Sequence, residues 1–276
     1  MSREFKKIAE NIPGAEGPVL DLDGRFFMVA PNDGLLVQVT EGGQVTTHAD
    51  TGGIPAGCQC DKENNIWIAD MRLGVFRVEP DGTVHHEVAT FAGEPIRGCN
   101  DCAFDGNGNL WITAPGGSGE GKPVGELFCR ALDGEVTRID GGYQFCNGIA
   151  VTGDDSTLII AETPTKSLWA YDIEGPGKAV DKRLWGKLPG DLEGGPDGMD
   201  FDEDGNLLAT HWGSGAIEVF DPDGNWKESI ETPFERPSNV HFVGEDRQTV
   251  YVTEHDDNAL WSFRWDRPGQ SQYCDR

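Results

Sequence analysis

Four residues with oxygen-bearing side chains stand at the same place in a segment that recurs along the chain. They are Glu16, Asn100, Asn147 and Asp197, and a short apolar run follows each of them. Two carboxylates and two carboxamides that meet in one place would form a set of hard oxygen ligands matched to a divalent cation. The set contains neither His nor Cys, so Ca²⁺ is favoured over Zn²⁺. The alternative is a water-filled polar channel closed by internal hydrogen bonds.

The recurring segment predicts the strands that must bring these residues together. Each copy has a small or polar residue, a short apolar strand, a turn rich in Asp, Gly and Asn, and a second strand rich in β-branched and aromatic side chains. The copies begin at Glu16, Ala56, Asn100, Asn147, Asp197 and Ser238. Starts about 40 to 50 residues apart are the period of a four-stranded propeller blade. The sequence therefore predicts one all-β domain over residues 1–276, a six-bladed β-propeller with four-stranded blades around a central channel.

A further strand follows each copy, and a fourth strand follows five of them. The last blade lacks its outer strand, and the N-terminal stretch FKKIAEN from Phe5 is predicted to supply it and so to protect the exposed edge. A β-sandwich of short strands is the alternative, but it would not repeat in six-fold register.

The first strand of a propeller blade lies innermost, so equivalent residues at the starts of these strands should converge at one end of the channel. Deeper in the channel, Asp200 and His241 come from neighbouring blades. Their spacing favours an Asp–His ion pair over a second cation. The second strands return to the ligand end, where residues just past them predict a small-molecule pocket. These are Pro31, Met71, Pro115, Thr163, Trp212 and His255.

Charge and cysteine content narrow the class of protein. A net charge of −26 argues against nucleic acid and against anionic membrane surfaces as partners. The sequence shows neither a signal-peptide-like start nor a membrane-length apolar run, and its seven cysteines are an odd number. These features predict a reduced, cytoplasmic protein. Cys58, Cys60, Cys99 and Cys102 could suggest zinc, but their register aligns them with core hydrophobic residues.

Several long segments resemble a known enzyme family. They include IPGAEGPV, GGIPAGCQCD, GCNDCAFD, NLWITAP, AETPTKSLW, DGMDFDED, RPSNVHF and TEHDDNALW, and they extend over nearly the whole chain. The chain resembles the diisopropylfluorophosphatases, calcium-dependent organophosphate hydrolases within the SMP-30 and gluconolactonase propellers. The resemblance implies the same fold and a phosphoric triester hydrolase activity on small molecules, in a protein expected to be a monomer.

The resemblance also implies two calcium sites. One is catalytic and is held by Glu16, Asn100, Asn147 and Asp197, with Asp101 just behind it. The other is structural and is held by Asp200, the carbonyl of Val240 and His241, in place of the ion pair. The pocket residues that it implies are Gln59, Met71, Thr163, Trp212, Ser238 and His255.

Two chain segments depart from the family pattern at the pocket. The connection PGGSGEGKPVG, Pro115 to Gly125, and the connection PNDG from Pro31 are short, which suggests a more open mouth. Cys146 also stands before NGIAV where the family pattern has Pro. A changed substrate preference is the expected consequence.

The expected mechanism is attack by Asp197 on a phosphoryl group polarised by Ca²⁺. The competing version makes His255 a general base for water. Lactone hydrolysis at the same calcium site is the alternative activity, and a non-catalytic binding propeller is the third possibility.

Overall fold

The computed structural model describes residues 3–276, which form six four-stranded antiparallel sheets. This confirms the predicted all-β, six-bladed propeller. The first blade consists of β2 (Glu16–Leu20), β3 (Phe26–Ala30), β4 (Leu35–Val39) and β5 (Val45–Asp50). The second consists of β6 (Pro55–Cys60), β7 (Ile66–Asp70), β8 (Gly74–Val78) and β9 (Val84–Val88). The third consists of β12 (Asp101–Phe104), β13 (Leu110–Ala114), β14 (Gly125–Arg130) and β15 (Val136–Tyr143).

The remaining blades follow the same order from the inner strand outward. The fourth consists of β16 (Cys146–Val151), β17 (Thr157–Glu162), β18 (Ser167–Gly175) and β19 (Lys178–Lys187). The fifth consists of β20 (Gly195–Phe201), β21 (Leu207–Trp212), β22 (Ala216–Phe220) and β23 (Trp226–Glu231). The sixth consists of β24 (Pro237–Val243), β25 (Thr249–Glu254), β26 (Ala259–Arg264) and, as its outer strand, β1 (Lys6–Ala9).

Three further elements lie outside the blades. A two-stranded hairpin, β10 (Thr90–Phe91) and β11 (Glu94–Pro95), comes between the second and third blades. Near the C-terminus, η1 (Tyr273–Asp275) is a 3₁₀ turn. Within residues 3–276, no helix has the length and apolarity that crossing a membrane requires.

Aspartates at the ends of inner strands close the turns to the second strands. Oδ1 of Asp61 accepts a hydrogen bond from the backbone N–H of Asn65 at 2.8 Å, and Oδ2 accepts from the Trp67 indole at 2.7 Å. An Asp side chain that satisfies a turn backbone in this way favours the tight reversal that the repeat predicted. Asp202 has the same turn role in the fifth blade, where its Oδ1 accepts a hydrogen bond from the backbone N–H of Asn206 at 2.8 Å.

The core lies between neighbouring blades. Val29 and Leu36 of the first blade pack in one cluster with Cys58 and Ile68 of the second. Burying each such aliphatic side chain contributes about 1.5 to 3 kcal/mol. Cys102 is also buried in a hydrophobic cluster, and all seven cysteines are free thiols. The four cysteines whose spacing could suggest zinc therefore lie in the core, as predicted.

Candidate active site

A cavity of about 560 Å³ opens at the end of the channel where the inner strands begin. Glu16 is the first residue of β2, Asn100 immediately precedes β12, Asn147 is the second residue of β16, and Asp197 is the third residue of β20. All four line the cavity. The structure thus brings together the four residues that the repeat predicted as ligands.

The backbone of the inner strands holds these residues close together. The carbonyl of Asn100 accepts a hydrogen bond from the N–H of Gly57 at 2.7 Å, and the carbonyl of Asn147 accepts one from Oγ1 of Thr113 at 2.6 Å. Gly148 allows a close approach of two of these strands, because a Cβ there would lie 2.1 Å from the carbonyl oxygen of Asp197. Any other residue at 148 would push the fourth and fifth inner strands apart.

Burial and neighbouring negative charges both raise the pKa of Asp197. Its side chain lies in the channel wall with only 7% of the residue exposed. Burial, followed by the negative charges of Glu16 and Asp101, raises the pKa of Asp197 well above its usual value, against a hydrogen bond from Asn147. Burial likewise raises the pKa of Asp101 to about 8. A positive charge placed among these carboxylates would offset both effects.

The donor set fits a hard divalent cation. Among residues 3–276, no three His, Cys, Asp or Glu side chains converge as a metal cluster, so the candidate site depends on its carboxamides as well as its carboxylates. Nδ2 of Asn147 donates to Oγ1 of Thr163 at 3.1 Å, which leaves the amide oxygen as a ligand. Thr163 in turn donates to the carbonyl of Pro196 at 2.8 Å. Mixed carboxylate and amide oxygens are the ligands that Ca²⁺ prefers.

His255 uses both ring nitrogens within the cavity wall. Its Nδ1 accepts a hydrogen bond from the indole of Trp212 at 3.1 Å, which places the ring proton on Nε2. Nε2 lies 3.1 Å from Oε1 of Glu16, although the contact is not aligned as a full hydrogen bond. Burial lowers the pKa of His255, but its contact with the Glu16 carboxylate outweighs burial and leaves that pKa raised. The geometry is that of a residue that positions Glu16.

Most of the predicted pocket wall lines the cavity. Met71, Thr163, Trp212 and His255 do so, together with Pro31 from the short first-blade connection. Pro115 does not line this cavity. The connection that begins with it contains a bridge between Gly119 and Lys122.

Two residues implied by the family resemblance lie elsewhere. Gln59 lines a separate cavity deeper in the channel. Ser238 is fully buried, and its Oγ donates to the carbonyl of Ala15 at 3.0 Å. The two inner strands pair in the same register, with Pro196 and Met199 of the fifth blade matched by Pro237 and Val240 of the sixth. The difference lies in the side chain, because the short Ser238 hydroxyl also hydrogen-bonds to Oγ1 of Thr253 at 2.7 Å and does not reach the cavity.

Phe145 is a lining residue that the repeat did not reveal. It has a positive φ of 79°, its N–H donates to Oγ of Ser118 at 2.9 Å, and its carbonyl accepts from the N–H of Thr163. A left-handed backbone at an aromatic residue is uncommon and is a sign of local constraint. Ile54, Asn32 and Asn258 also line the cavity without an earlier prediction. All four lie in connections, where the repeat carries no register.

The deeper cavity, of about 40 Å³, brings Asp200, Val240 and His241 together. Oδ2 of Asp200 lies 3.3 Å from Nδ1 of His241, so the pair predicted from spacing is in contact. The space exceeds the roughly 10 to 15 Å³ that a water molecule needs. Gln272, from the C-terminal segment, donates to Oδ1 of Asp200 at 3.2 Å and was not predicted.

Comparisons with known proteins extend over almost the whole chain. Residues 14–256 match the SMP-30/Gluconolactonase/LRE-like region. The diisopropyl-fluorophosphatase of Loligo vulgaris is 48% identical over 302 aligned residues, which cover 98% of this chain and 95% of that protein. The gluconolactonase of Zymomonas mobilis is 26% identical, over 92% of this chain and 79% of that protein.

A solved structure supports the fold independently. That of a calcium-binding protein, regucalcin, from Agrobacterium tumefaciens superimposes with a TM-score of 0.82 at 20% identity, over 99% of this chain and 96% of that one. At this level of identity the likeness bears on the fold alone.

Proposed function

The chain belongs to the SMP-30/gluconolactonase/LRE-like family, and from that premise we propose that it is a calcium-dependent hydrolase of organophosphorus compounds, cleaving P–F and related bonds to good leaving groups. The proposal depends on the position of Asp197 in the cavity. Its carboxylate lies beside those of Glu16 and Asp101 and lines a space large enough for a small ester. The similarity to a diisopropyl-fluorophosphatase supports the choice of bond.

The candidate ligands for the catalytic cation are Glu16, Asn100, Asn147 and Asp197. A bound Ca²⁺ would supply a Lewis acid toward the phosphoryl oxygen of the substrate. A second calcium, held by Asp200, the Val240 carbonyl and His241, belongs to the same proposal and is supported by the room in the deeper cavity.

Asp197 acts as the nucleophile in this proposal. A carboxylate oxygen forms a bond to phosphorus, and the P–F bond breaks with its electron pair leaving on fluoride. Water then hydrolyses the aspartyl phosphate, by attack either at phosphorus or at the carboxyl carbon, and returns the free carboxylate. Hydrolysis in ¹⁸O-labelled water distinguishes the two routes, because only attack at the carboxyl carbon leaves label in Asp197 after one turnover.

The other residues of the wall bind and orient. Trp212 and Met71 give the substrate's alkyl groups an apolar surface. His255 orients Glu16 and, with its Nδ1 occupied by Trp212, is poorly placed to take a proton from water. This arrangement supports Asp197 as nucleophile over His255 as general base.

Lactone hydrolysis is the second candidate function. The Zymomonas mobilis relative is a gluconolactonase, and the same carboxylate and carboxamide set would serve a carbonyl substrate. Acyl transfer and phosphoryl transfer both develop negative charge on an oxygen that a cation can stabilise.

The oligomeric state, the kind of partner and the cellular location are also part of the proposal. We take the working unit to be a monomer that acts on a small molecule, without nucleic acid or membrane as a partner, and the net charge of −26 supports this. Seven free thiols support a reducing, cytoplasmic location.

The test is a parallel assay of diisopropyl fluorophosphate and a series of aliphatic lactones, each with added Ca²⁺ and with a chelator. Faster turnover of the fluorophosphate, lost with chelator and restored by Ca²⁺, supports the first function. Turnover of lactones alone supports the second. Absence of hydrolysis and of calcium binding would identify a non-catalytic binding propeller and contradict both.

A further inference from the structure

The hairpin β10–β11 is an addition to the six-bladed plan. It lies between the outer strand of the second blade and the inner strand of the third, and its turn contains Ala92 and Gly93, both with positive φ. Ile96, just after it, is buried and donates its N–H to the carbonyl of Ala89 at 3.1 Å. Two residues later, the N–H of Gly98 donates to the carbonyl of Met71 at 2.8 Å. The segment is therefore fastened to the loop that follows β7.

Between the hairpin and that loop lies a groove of about 650 Å³, which we call the hairpin groove. Leu73, Pro95 and Ile96 give it an apolar surface. Ile54 and Met71 line both the hairpin groove and the candidate active-site cavity, so the two spaces adjoin. A ligand could therefore extend from the reacting centre past Met71 into the groove.

The charge of the hairpin groove is opposite to that of the chain as a whole. Arg72 and Arg97 line it, and its lining within residues 3–276 includes no Asp or Glu, in a protein with 48 acidic residues. Neither arginine forms an ion pair in the part of the chain that the structure describes. Most of the other arginines there do, as Arg138 does with Glu126 and Arg183 with Asp172.

The acid nearest in sequence to Arg72 is already engaged. Asp70 is fully buried, and its Oδ1 accepts the backbone N–H groups of Arg72 and Leu73, each at 2.9 Å. Its Oδ2 accepts from Oγ1 of Thr51 at 3.1 Å. Asp70 thus fixes the loop and leaves the Arg72 guanidinium to donate to the carbonyl of Gly52 and to solvent.

We propose that the hairpin groove binds an anionic arm of the substrate, a carboxylate or phosphonate joined by an apolar spacer to the ester or lactone that reacts beside Asp197. Guanidinium groups bind such anions through paired N–H donors. The apolar lining suits the spacer, and the shared residues Ile54 and Met71 set the path between the two spaces. This inference deepens the proposed hydrolase function and rests on it for the link to turnover.

Binding is tested first, without any catalytic step. The probes are 4-butylbenzoate and its neutral isostere 4-butylbenzamide, titrated calorimetrically into the full-length protein at low salt. The test variant is Arg72→Met/Arg97→Met, which keeps apolar stems, and the charge-matched control is Arg138→Met/Arg183→Met. We expect the benzoate to bind about fivefold to tenfold more tightly than the amide, because two exposed ion pairs contribute about that much affinity. Only the test variant is expected to lose this preference.

Turnover is tested next with a butyl γ-lactone and the same lactone carrying a terminal carboxylate. The test variant is expected to raise KM for the carboxylated substrate by a similar factor and to leave kcat and the neutral substrate unchanged. Equal binding of both probes, or equal loss in the control variant, would overturn the proposal. Anion binding without a KM effect would also overturn it, since the anion would not be a substrate arm. If neither lactone turns over but the benzoate is still preferred, the protein is not a lactonase and the hairpin groove is still an anion-binding site. The KM comparison is then made with a phosphotriester and the same phosphotriester carrying a terminal carboxylate.

Discussion

Nε2 of His255 lies 3.1 Å from Oε1 of Glu16, and Nδ1 on the other side of the ring accepts from Trp212. The imidazole is thereby fixed between a candidate calcium ligand and the aromatic wall of the cavity. A histidine held in this way orients Glu16. With its Nδ1 lone pair engaged by the Trp212 indole and the ring proton on Nε2, it has no lone pair free to take a proton from water.

Replacement of His255 by Phe tests this assignment. We expect kcat/KM for the fluorophosphate to fall by less than about tenfold, because the ring keeps its volume and Asp197 keeps its role. Loss of a true general base costs roughly 10² to 10⁴ in rate. Steady-state kinetics distinguish a positioning residue from a general base. A fall in kcat/KM of roughly 10² to 10⁴ would show that His255 is catalytic. Trp212→Phe is the matched control for the lost indole contact.

Replacement of Thr163 by Val tests whether the Asn147 amide must be held in place. Without the hydroxyl, Nδ2 of Asn147 loses its hydrogen-bond acceptor and the amide is no longer held in one orientation. Because such contacts orient the groups that bind a metal, we expect calcium affinity at the candidate catalytic site to fall about threefold to tenfold. Calorimetric titration with Ca²⁺ measures this. Thr165→Val, on the same loop but bonded to Glu162, is the control. Unchanged affinity in Thr163→Val would show that Thr163 does not hold Asn147 in place for the cation.

Replacement of Gly148 by Ala tests the close approach of the inner strands. The added Cβ would lie 2.1 Å from the carbonyl oxygen of Asp197, a backbone atom that cannot rotate away. We expect a loss of about 2 kcal/mol or more in unfolding free energy, as for overpacked cores. Urea denaturation measures it. Gly119→Ala, where a Cβ meets nothing within 4 Å, is expected to be neutral. Equal stability of the two variants would mean that the strands separate at little cost.

The environment of Glu218, away from the candidate metal sites, predicts that the stability of the protein depends on pH. Burial raises the pKa of Glu218, but hydrogen bonds from His211, Ser229 and Trp226 outweigh burial and leave it lowered. A lowered pKa in the folded state adds stability that is present above the unfolded-state pKa, about 4.3 for Glu, and is lost as pH falls through the folded-state pKa.

Glu218→Gln should therefore cost about 1 to 3 kcal/mol at pH 7, with a cost that shrinks below roughly pH 4. Denaturation curves of wild type and variant across this range provide the measurement, and Glu228→Gln on the exposed outer strand is the control. A cost independent of pH would show that the carboxylate charge is not responsible.

The sequence predicted the fold and the convergence of the four candidate ligands for the same reason. Six copies of one segment impose equivalent strands, and Glu16, Asn100, Asn147 and Asp197 occupy equivalent starts. Ser238 stands at the equivalent place in its blade but does not line the cavity, because its short side chain is held by hydrogen bonds to Ala15 and Thr253. The repeat predicts where a residue stands and does not predict which partners its side chain finds. Phe145, the hairpin β10–β11 and Gln272 lie outside the repeat, where only tertiary packing decides which surface a residue contacts.

Fluoride release by wild type and Asp197→Asn, with bound calcium quantified in the same samples, tests whether the reaction needs both calcium and the Asp197 carboxylate. At saturating Ca²⁺ we predict rapid release from diisopropyl fluorophosphate by wild type and at least about a thousandfold slower release by calcium-loaded Asp197→Asn. With chelator, we predict that release by wild type is lost. Undiminished release by wild type in chelator, or near-wild-type release by the variant, would contradict a calcium-dependent reaction with Asp197 as nucleophile.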